Sequence, residues 1–404
     1  MEILIKGARV VDEEHDFYGD LYIKDGLIKE FGENLQYDCK TIGGRNLVLM
    51  PAFIDMHVHF RDPGYTYKEE ILTGGLAALK GGFTLVNLMA NTKPICSSME
   101  TVEYVLNKVK ALDIIDVHQC VSITKDFDGK TFDHLESIDS RIKFISDDGM
   151  GINSNITMYN AFLKAREKGL TIITHAEDKD ITPIDYRISE NIITIRDLYL
   201  SKVTGGRLHL AHVSTKEAIE EVRRAKKEGV NVTCEVTPHH IALWNNSYRV
   251  NPPIREKDDT VALIGGIKDG TVDVISTDHA PHSKEDKEKG SPGLTGLETS
   301  FSVSYTTLVK TGIISLQKLS SLMSGNGGRI MGVNKGRIKK GFDADLVLLD
   351  LDKEVKIDSM TFLSKGKNTP FDGMTFYGEV MMTLRKGEMK YFNKSSEEVC
   401  NIDY

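Results

Sequence analysis

The chain has 404 residues, 40% of them hydrophobic and 27% charged, with a net charge of −8, which suits an ordinary soluble protein with one large domain and one smaller one. The negative balance argues against general nucleic-acid affinity, although local cations can still hold an anionic substrate. No apolar run approaches the roughly 18 residues that span a bilayer, no signal-peptide core is expected after Met1, and five scattered cysteines (39, 96, 120, 234, 400) without a Cys-x-x-Cys point to a reducing cytoplasm.

Residues 1–50 read as short strands joined by tight turns. Ile3-Leu4-Ile5, Leu21-Tyr22-Ile23 and Leu27-Ile28 are apolar runs, and Asp25-Gly26 between the last two is a hairpin signal. The far end repeats this character, with strands expected at 345–350 and 379–385 and a turn at Lys386-Gly387-Glu388. Between these ends, strands and helices alternate. Strands are expected at 52–56, 83–88, 116–121, 141–145, 170–174, 207–211, 230–235 and 272–276. Helices are expected at 68–80, 99–111, 157–168, 190–203, 215–228 and 297–310. Thr215 supplies a capping hydroxyl before an amphipathic run, and Gly169 and Gly229 follow helices as stops. Eight such units suggest a (β/α)8 barrel. The rival, an open doubly wound sheet, is weakened because no Gly-x-Gly-x-x-Gly follows the first strand and no phosphate-loop motif is present.

A barrel carries its active site at the C-terminal ends of its strands, and the unusual polar residues recur there. Asp55-Met-His57-Val-His59 closes the first unit, with the two imidazoles at alternate positions on one face of a strand end. Asn91 follows the second strand, Asp147-Asp148-Gly149 the fourth, His175 the fifth, His212 the sixth and His239-His240 the seventh. Asp278-His279-Ala-Pro-His282 follows the eighth. Four histidines (57, 59, 175, 212) and two carboxylates (148, 278) are enough to hold two divalent ions. Nitrogen and oxygen ligands without thiolate suit zinc best, with manganese, cobalt or nickel as alternatives. Such an ion brings the pKa of water to near 7, and a neighbouring carboxylate can carry the proton; Asp278, at the end of the last strand, is the choice.

Other polar residues have plainer readings. His209 and His212 are three apart, so they are expected on opposite sides of a strand, and His212 lies nearer the mouth. Asp147 is read as a loop cap, His239 and His240 as a turn or helix start, and His15, His118 and His134 as surface or core residues. Arg61, two residues beyond His59, has the fork that suits a substrate carboxylate.

Taken together, Asp55–Gly64, Met89-Ala-Asn91-Thr-Lys93-Pro94, Ser146–Gly149, His175-Ala-Glu177-Asp178, His212–Thr215, Asn251-Pro-Pro-Ile-Arg255 and Thr277–His282 resemble the amidohydrolase superfamily, and within it the class I dihydroorotases. The resemblance implies an α/β fold, a deformed (β/α)8 TIM-like barrel over 51–334, with a small β-sandwich domain formed by both termini, 1–50 and 335–404. It implies a zinc-dependent enzyme with one or two ions per chain, catalysing reversible cyclisation of N-carbamoyl-L-aspartate to (S)-dihydroorotate. By position, His57, His59, His175, His212 and Asp278 become metal ligands and Asp148 takes the bridging place. Arg61, Asn91 and His282 hold the substrate carboxylate, while Asn251 and the Pro292-Gly293 backbone contact the ring. Many superfamily members bridge their metals with a carboxylated lysine; here Lys143 lies too early in the strand, and the shorter Asp148 holds a second ion less tightly. The segments between His175 and His212 and after the eighth strand look trimmed. Allantoinase and dihydropyrimidinase are the nearest alternatives, but their substrates lack the ring carboxylate. An inactive scaffold homologue would be expected to have lost ligands, and a serine hydrolase lacks its Gly-x-Ser-x-Gly. The partners implied are a small-molecule substrate and either a second copy or another pyrimidine-pathway enzyme.

Overall fold

The computed structural model describes residues 1–393 and 402–403; Cys400 and the other closing residues of the expected terminal domain lie outside the described residues. The chain opens with β1 (Glu2–Val11), β2 (Asp16–Lys24), β3 (Leu27–Gly32), β4 (Lys40–Gly43) and β5 (Val48–Pro51). Asp25 and Gly26 both have positive φ, 54° and 74°, as the tight β2–β3 turn demands.

One residue after β5 the barrel begins. Its strands are β6 (Phe53–Val58), β7 (Phe83–Leu88), β8 (Asp116–Gln119), β9 (Phe144–Ile145), β10 (Thr171–Thr174), β11 (Arg207–Leu210), β12 (Val232–Val236) and β13 (Val274–Ile275). Between them run α1 (Ile71–Lys80), α2 (Met99–Leu112), α3 (Asn155–Lys168), α4 (Tyr186–Thr204), α5 (Lys216–Lys227), α6 (Pro238–Ala242) and α7 (Lys257–Asp269). All eight expected strands are present. Gly169, at φ 70°, ends α3, and Thr215 caps α5 by accepting from the Ala218 amide. The strands are parallel and form two ladders, β6-β7-β8 and β9-β10-β11-β12-β13. Only isolated bridges join the ladders, Val121 to Ile145 on one side and Val58 to His279 on the other. The fold is a (β/α)8 barrel whose ring closes through two thin seams. Val86, Leu88, Val102, Val105, Ile172 and Leu198 belong to the apolar layer between strands and helices.

After the barrel the chain returns as β14 (Leu346–Lys356), β15 (Thr375–Arg385), β16 (Glu388–Phe392) and β17 (Ile402–Asp403). These join the N-terminal strands in one nine-stranded sheet, ordered β16-β15-β14-β5-β1-β2-β3, with β4 beside β1 and β17 beside β4. The sheet curls round its own core of Ile5, Val10, Ile23, Leu49, Leu348 and Leu384. Its two distant hairpin turns meet, so that a Cβ on Gly387 would come within 2.8 Å of the Ile23 side chain. Lys335 pins this sheet to the base of the barrel. Its ammonium sits 2.9 Å from Asp116 at the start of β8, 3.0 Å from Asp343 and 2.5 Å from Asp345.

His118 lies at the barrel base with both ring nitrogens engaged. Nδ1 donates to Asn87 Oδ1 (2.7 Å) and Nε2 accepts from the Lys143 amide (3.0 Å), which requires a neutral ring. Burial, with the nearby Lys143 charge, lowers its pKa to about 4. The unfolded chain therefore binds a proton that the folded chain refuses. Stability falls as pH drops from the unfolded value near 6.5 and levels off below the folded one, a loss on the order of 3 kcal/mol. In urea titrations between pH 7 and 4.5, His118→Gln is expected to lose less stability than the wild type; parallel curves would remove His118 as the source.

Candidate metal centre and active site

The mouth of the barrel collects the polar strand ends round a cavity of about 230 Å³. Its walls include His59, Arg61, Asn91, Asp148, His175 and His212, and also Asn251, Asp278, His282, Pro292 and Gly293. His57 lies beneath this floor, fully buried. Every residue expected from sequence at the site is thus in the cavity wall or under it.

Asp148, following β9, is the hub. His57, His59 and Asp148 form one group whose potential ligand atoms lie within 4.8 Å of one another, and Asp148, His175 and His212 form a second. His57 Nε2 is 3.3 Å from Asp148 Oδ1, and His59 Nε2 is 3.5 Å from Asp148 Oδ2. His175 Nδ1 lies 3.6 Å and His212 Nε2 3.9 Å from Asp148 Oδ1. Asp278 Oδ1 reaches His59 Nε2 at 3.2 Å and His57 Nε2 at 3.7 Å.

The outer ring nitrogens are tied down by acceptors. His57 Nδ1 donates to Glu235 Oε1 (2.7 Å), His59 Nδ1 to Asn91 Oδ1 (2.9 Å) and His175 Nε2 to Glu177 Oε2 (2.8 Å). This fixes each tautomer and aims the other nitrogen's lone pair inward, as an outer carboxylate or amide does for a metal-ligating histidine. Inside, acceptor faces acceptor: His57 Nε2 and Asp148 Oδ1 are buried without a hydrogen-bond partner, and His175 Nδ1 is 2.8 Å from His212 Nε2. Such a set is satisfied by protons or by cations between its members. The donor set, imidazole and carboxylate without thiolate, fits a divalent metal of the zinc type.

The electrostatics point the same way. Burial works against charge on His57, but the Asp148 and Glu235 carboxylates outweigh it and raise its pKa well above the ordinary value. Asp148 also overcomes its burial and falls well below the usual carboxylate range, chiefly through the His57 charge. Asp278 is held at about 2, burial being outweighed by its hydrogen bond with His59 and the nearby imidazoles. His282 is lowered to about 3 by burial and then by Arg61 and Lys68, so its ring is neutral near pH 7.

Three residues reach the site through a left-handed backbone: Arg61 (φ 59°), His212 (φ 31°) and Asp278 (φ 48°). Non-glycine residues adopt this conformation at a cost and only where the surroundings hold them. At His212 it breaks strand alternation and revises one expectation. His209 does not face away from the barrel interior: its Nε2 lies 3.1 Å from Glu235 Oε2, and Glu235 also holds His57. The His212 ring meanwhile packs 5.1 Å from His57. His209 and His212 occupy successive depths on the same side.

Glu235 and Glu177 were not singled out from sequence. Glu177 is two residues past His175, the spacing that joins His57 to His59, and this was the available signal. Glu235, a lone carboxylate in the apolar Cys234-Glu235-Val236, had to find a buried partner. Asp147 does act as a cap, accepting from the Ile123 and Thr124 amides at 2.7 and 3.1 Å. Asp55 stays outside the cluster and ties β6 to the end of β13 by accepting from the His57 and Thr277 amides at 3.0 and 3.2 Å. Lys143 points to the barrel base and donates to the Met331 carbonyl.

On the substrate side, Arg61 has no carboxylate within ion-pair distance among the described residues, and its Nε is buried without a partner. Its Nη2 lies 3.5 Å from His282 Nε2, and Lys68 Nζ is 3.4 Å from His282 Nδ1. Asn91 is busier than expected: Oδ1 accepts from His59 while Nδ2 donates to Asp148 twice, to Oδ2 (3.2 Å) and to the backbone carbonyl (3.4 Å). Asn251 Nδ2 donates to Glu177 Oε2 (3.0 Å) at the opposite wall.

Comparison with known proteins agrees with this geometry. The profile of the Amidohydrolase family matches residues 48–390. A dihydroorotase of Clostridium botulinum (strain Eklund 17B / Type B) is 54% identical over 396 residues, spanning 97% of this chain and all of that protein. A dihydroorotase of Caldanaerobacter subterraneus subsp. tengcongensis is 39% identical over 433 residues, spanning 99% and 100%. Among solved structures, the L-hydantoinase (dihydropyrimidinase) of Arthrobacter aurescens superposes with a TM-score of 0.86 at 26% identity, covering 96% of this chain and 95% of that one. The dihydropyrimidinase of Brevibacillus agri NCHU1002 gives 0.88 at 23% identity, over 97% and 96%, a likeness of fold. With its eight-stranded barrel, its Asp148-centred cluster and full-length relatives of this similarity, the chain belongs to the amidohydrolase family and, within it, to the dihydroorotases.

Proposed function

We propose that the chain interconverts N-carbamoyl-L-aspartate and (S)-dihydroorotate, closing a cyclic amide with loss of water or opening it with uptake of water, in the synthesis of pyrimidines (UMP). The observation that carries this reading is the pairing of two histidine groups on Asp148 with an unneutralised guanidinium, Arg61, across the same cavity. The identity with dihydroorotases over the whole chain supports it.

The reading takes zinc as the metal, one or two ions per chain, held by His57, His59, His175, His212 and Asp278 with Asp148 between the two groups. A divalent ion there supplies Lewis acidity, drawing the pKa of water toward neutrality and polarising a carbonyl. Asp278 is the proton carrier. In ring opening, the water oxygen bonds to the amide carbon, Asp278 takes the water proton and delivers it to the ring nitrogen as the C–N bond breaks. In ring closure the same carboxylate takes the proton from the attacking ureido nitrogen and gives it to the departing oxygen. Its pKa of about 2 keeps it ionised and ready to accept at neutral pH. Arg61, Asn91 and the neutral His282 hold the ring carboxylate, and Asn251 with the Pro292-Gly293 backbone orients the ring. Residues 51–334 form the catalytic unit on this reading, and 1–50 with 335–404 the accessory one. The four described cysteines are free thiols, and no described helix is long and apolar enough to cross a membrane; a cytoplasmic site of action is part of the proposal.

The test is a spectrophotometric assay of dihydroorotate beside allantoin and dihydrouracil on one preparation of measured metal content. Turnover confined to dihydroorotate and lost on chelation, together with one to two zinc ions per chain, is the expected result. Faster turnover of either competitor would overturn the assignment. Asp278→Asn is expected to keep the fold, by circular dichroism, and lose turnover in both directions by 10²-fold or more, the scale of a positioned proton carrier; near-normal rates would remove it from that role. Arg61→Ala is expected to raise KM for dihydroorotate by roughly 10- to 100-fold, the scale of a charge-assisted hydrogen bond, with metal content unchanged; an unaltered KM would count against carboxylate binding.

A further inference from the structure

The two walls assigned to the substrate ring come from different loops. Asn251 lies beyond α6, and Pro292-Gly293 lies beyond α8 (Lys284–Glu288), the short helix that follows His282. Neither 249–251 nor 291–293 belongs to a helix or strand, so their spacing depends on other ties. One is a backbone bond, from the Gly293 amide to the Arg249 carbonyl (3.1 Å). The others come from a single side chain. Lys287, half-buried on α8, donates to the carbonyls of Arg249 (3.0 Å), Ser291 (2.9 Å) and Gly293 (2.9 Å). An ammonium has three protons, and each has an acceptor here. The Tyr248 ring, its centre 4.6 Å from Nζ, covers another side of the charge. The acidic neighbours on α8 are turned elsewhere: Asp286 lies 3.3 Å from Lys68 and Glu288 3.9 Å from Lys284. Burial, with the Arg249 guanidinium nearby, lowers the Lys287 pKa to about 8, so the ammonium is still the main form at neutral pH. Charge-assisted bonds to three carbonyls offset the cost of holding it there.

We propose that Lys287 is a positioning residue for the substrate ring: it ties the 249–251 loop to the 291–293 loop and so sets the slot between Asn251 and Pro292-Gly293. Three observations favour this role. First, Lys287 stands behind the cavity wall and not in it, while Ser291, Pro292 and Gly293 line the cavity. Second, the strand of backbone it holds is closely fitted. Gly293 has φ 132°, and a Cβ there would lie 2.6 Å from the Ala280 carbonyl oxygen, so a small shift of this loop changes the wall itself. Third, the tie continues to the carboxylate side of the site. The Gly293 carbonyl also accepts from Asn368 Nδ2 (3.1 Å), and Asn368 Oδ1 accepts from the His282 amide (3.2 Å). One ammonium thus fixes the two ring walls relative to each other and to His282. A wall that holds the ring alike before and during reaction contributes uniform binding, which appears in KM and not in kcat. The ring as occupant rests on the reaction proposed above; the tie between the loops stands without it.

The experiment compares the full, metal-replete chain with Lys287→Met, which keeps the apolar stem and removes the charge and its donors. Hydrogen exchange without substrate is read first. The Gly293 amide is expected to exchange about tenfold faster or more in the variant, the scale of a lost hydrogen bond, with 171–174 and 207–210 unchanged. Steady-state kinetics with dihydroorotate follow. KM is expected to rise by about tenfold with kcat and metal content little changed, a split that a loss of stability alone would not produce. Because Lys287 acts through the wall that carries Asn251, Lys287→Met combined with Asn251→Ala is expected to raise KM by less than the product of the single effects. An unchanged Gly293 exchange rate overturns the tie, whatever the substrate. Faster exchange with an unaltered KM overturns the positioning role, and so does a combined variant that shows the full product. A wild type that does not turn over dihydroorotate would sink the reaction assigned above, while the exchange measurement still decides the tie. Should Lys287→Met fail to fold, Lys287→Gln, which retains two donors, is measured in its place, with a smaller change expected in the same two quantities and no change in either overturning the proposal.

Discussion

A carboxylate buried among four imidazoles governs this molecule. Asp148 stands between His57 and His59 on one side and His175 and His212 on the other, and its Oδ1 has no hydrogen-bond donor. Bringing such groups out of water is costly unless positive charge lies among them. The barrel meets this cost by supplying acceptors behind the rings: Glu235, Asn91 and Glu177 each hold an imidazole's outer nitrogen. The arrangement is pre-organised from outside inward, so the inner lone pairs converge without help from a ligand. The strained backbone at Arg61, His212 and Asp278 belongs to the same pattern, since strain persists where the surroundings over-determine it.

The barrel gives this cluster its position through connectivity. Parallel strands deliver their C-terminal ends to one rim, so residues 57, 148, 175, 212 and 278 meet despite separations of up to 221 positions in the chain. The curled terminal sheet lies at the other side of the molecule's construction problem. β5 runs into β6 with one residue between, and the Lys335 cluster holds Asp116 of the barrel against Asp343 and Asp345 of the sheet. One ammonium shared by three carboxylates couples the base of the barrel to both chain ends.

Much of this was legible in the sequence because two periodicities overlap. Apolar runs located the eight strands, and a polar residue just past seven of them located the rim; Asp25-Gly26 and Gly169 marked their turns through the backbone geometry they allow. Alternation failed where the chain leaves regular φ/ψ. Alternation favours His212 over His209 by placing them on opposite faces, a reason the left-handed backbone undoes, since both rings face the interior at different depths. Glu235 and Glu177 escaped notice because a carboxylate that supports a ligand looks, in sequence, like any other strand or loop carboxylate. α4 exposes a further limit. Periodicity located a helix at 190–203, yet apolar spacing does not say how the faces divide, and here Ile193 and Leu198 go inward beside Glu190, Thr194 and Asp197 while Ile192, Ile195 and Tyr199 stay exposed.

The two seams of the barrel have a mechanical consequence. Within each ladder neighbouring strands are stitched by consecutive backbone bonds, but between the first and last units, as between β8 and β9, the stitching is sparse: the His59 amide to the His279 carbonyl (2.9 Å), and the bridge at Val58. Arg61 and Asp278 stand on either side of that gap. The ring is therefore joined by few backbone bonds where Arg61 and Asp278 stand, whereas four consecutive residue pairs tie the strands that lead to His175 and His212.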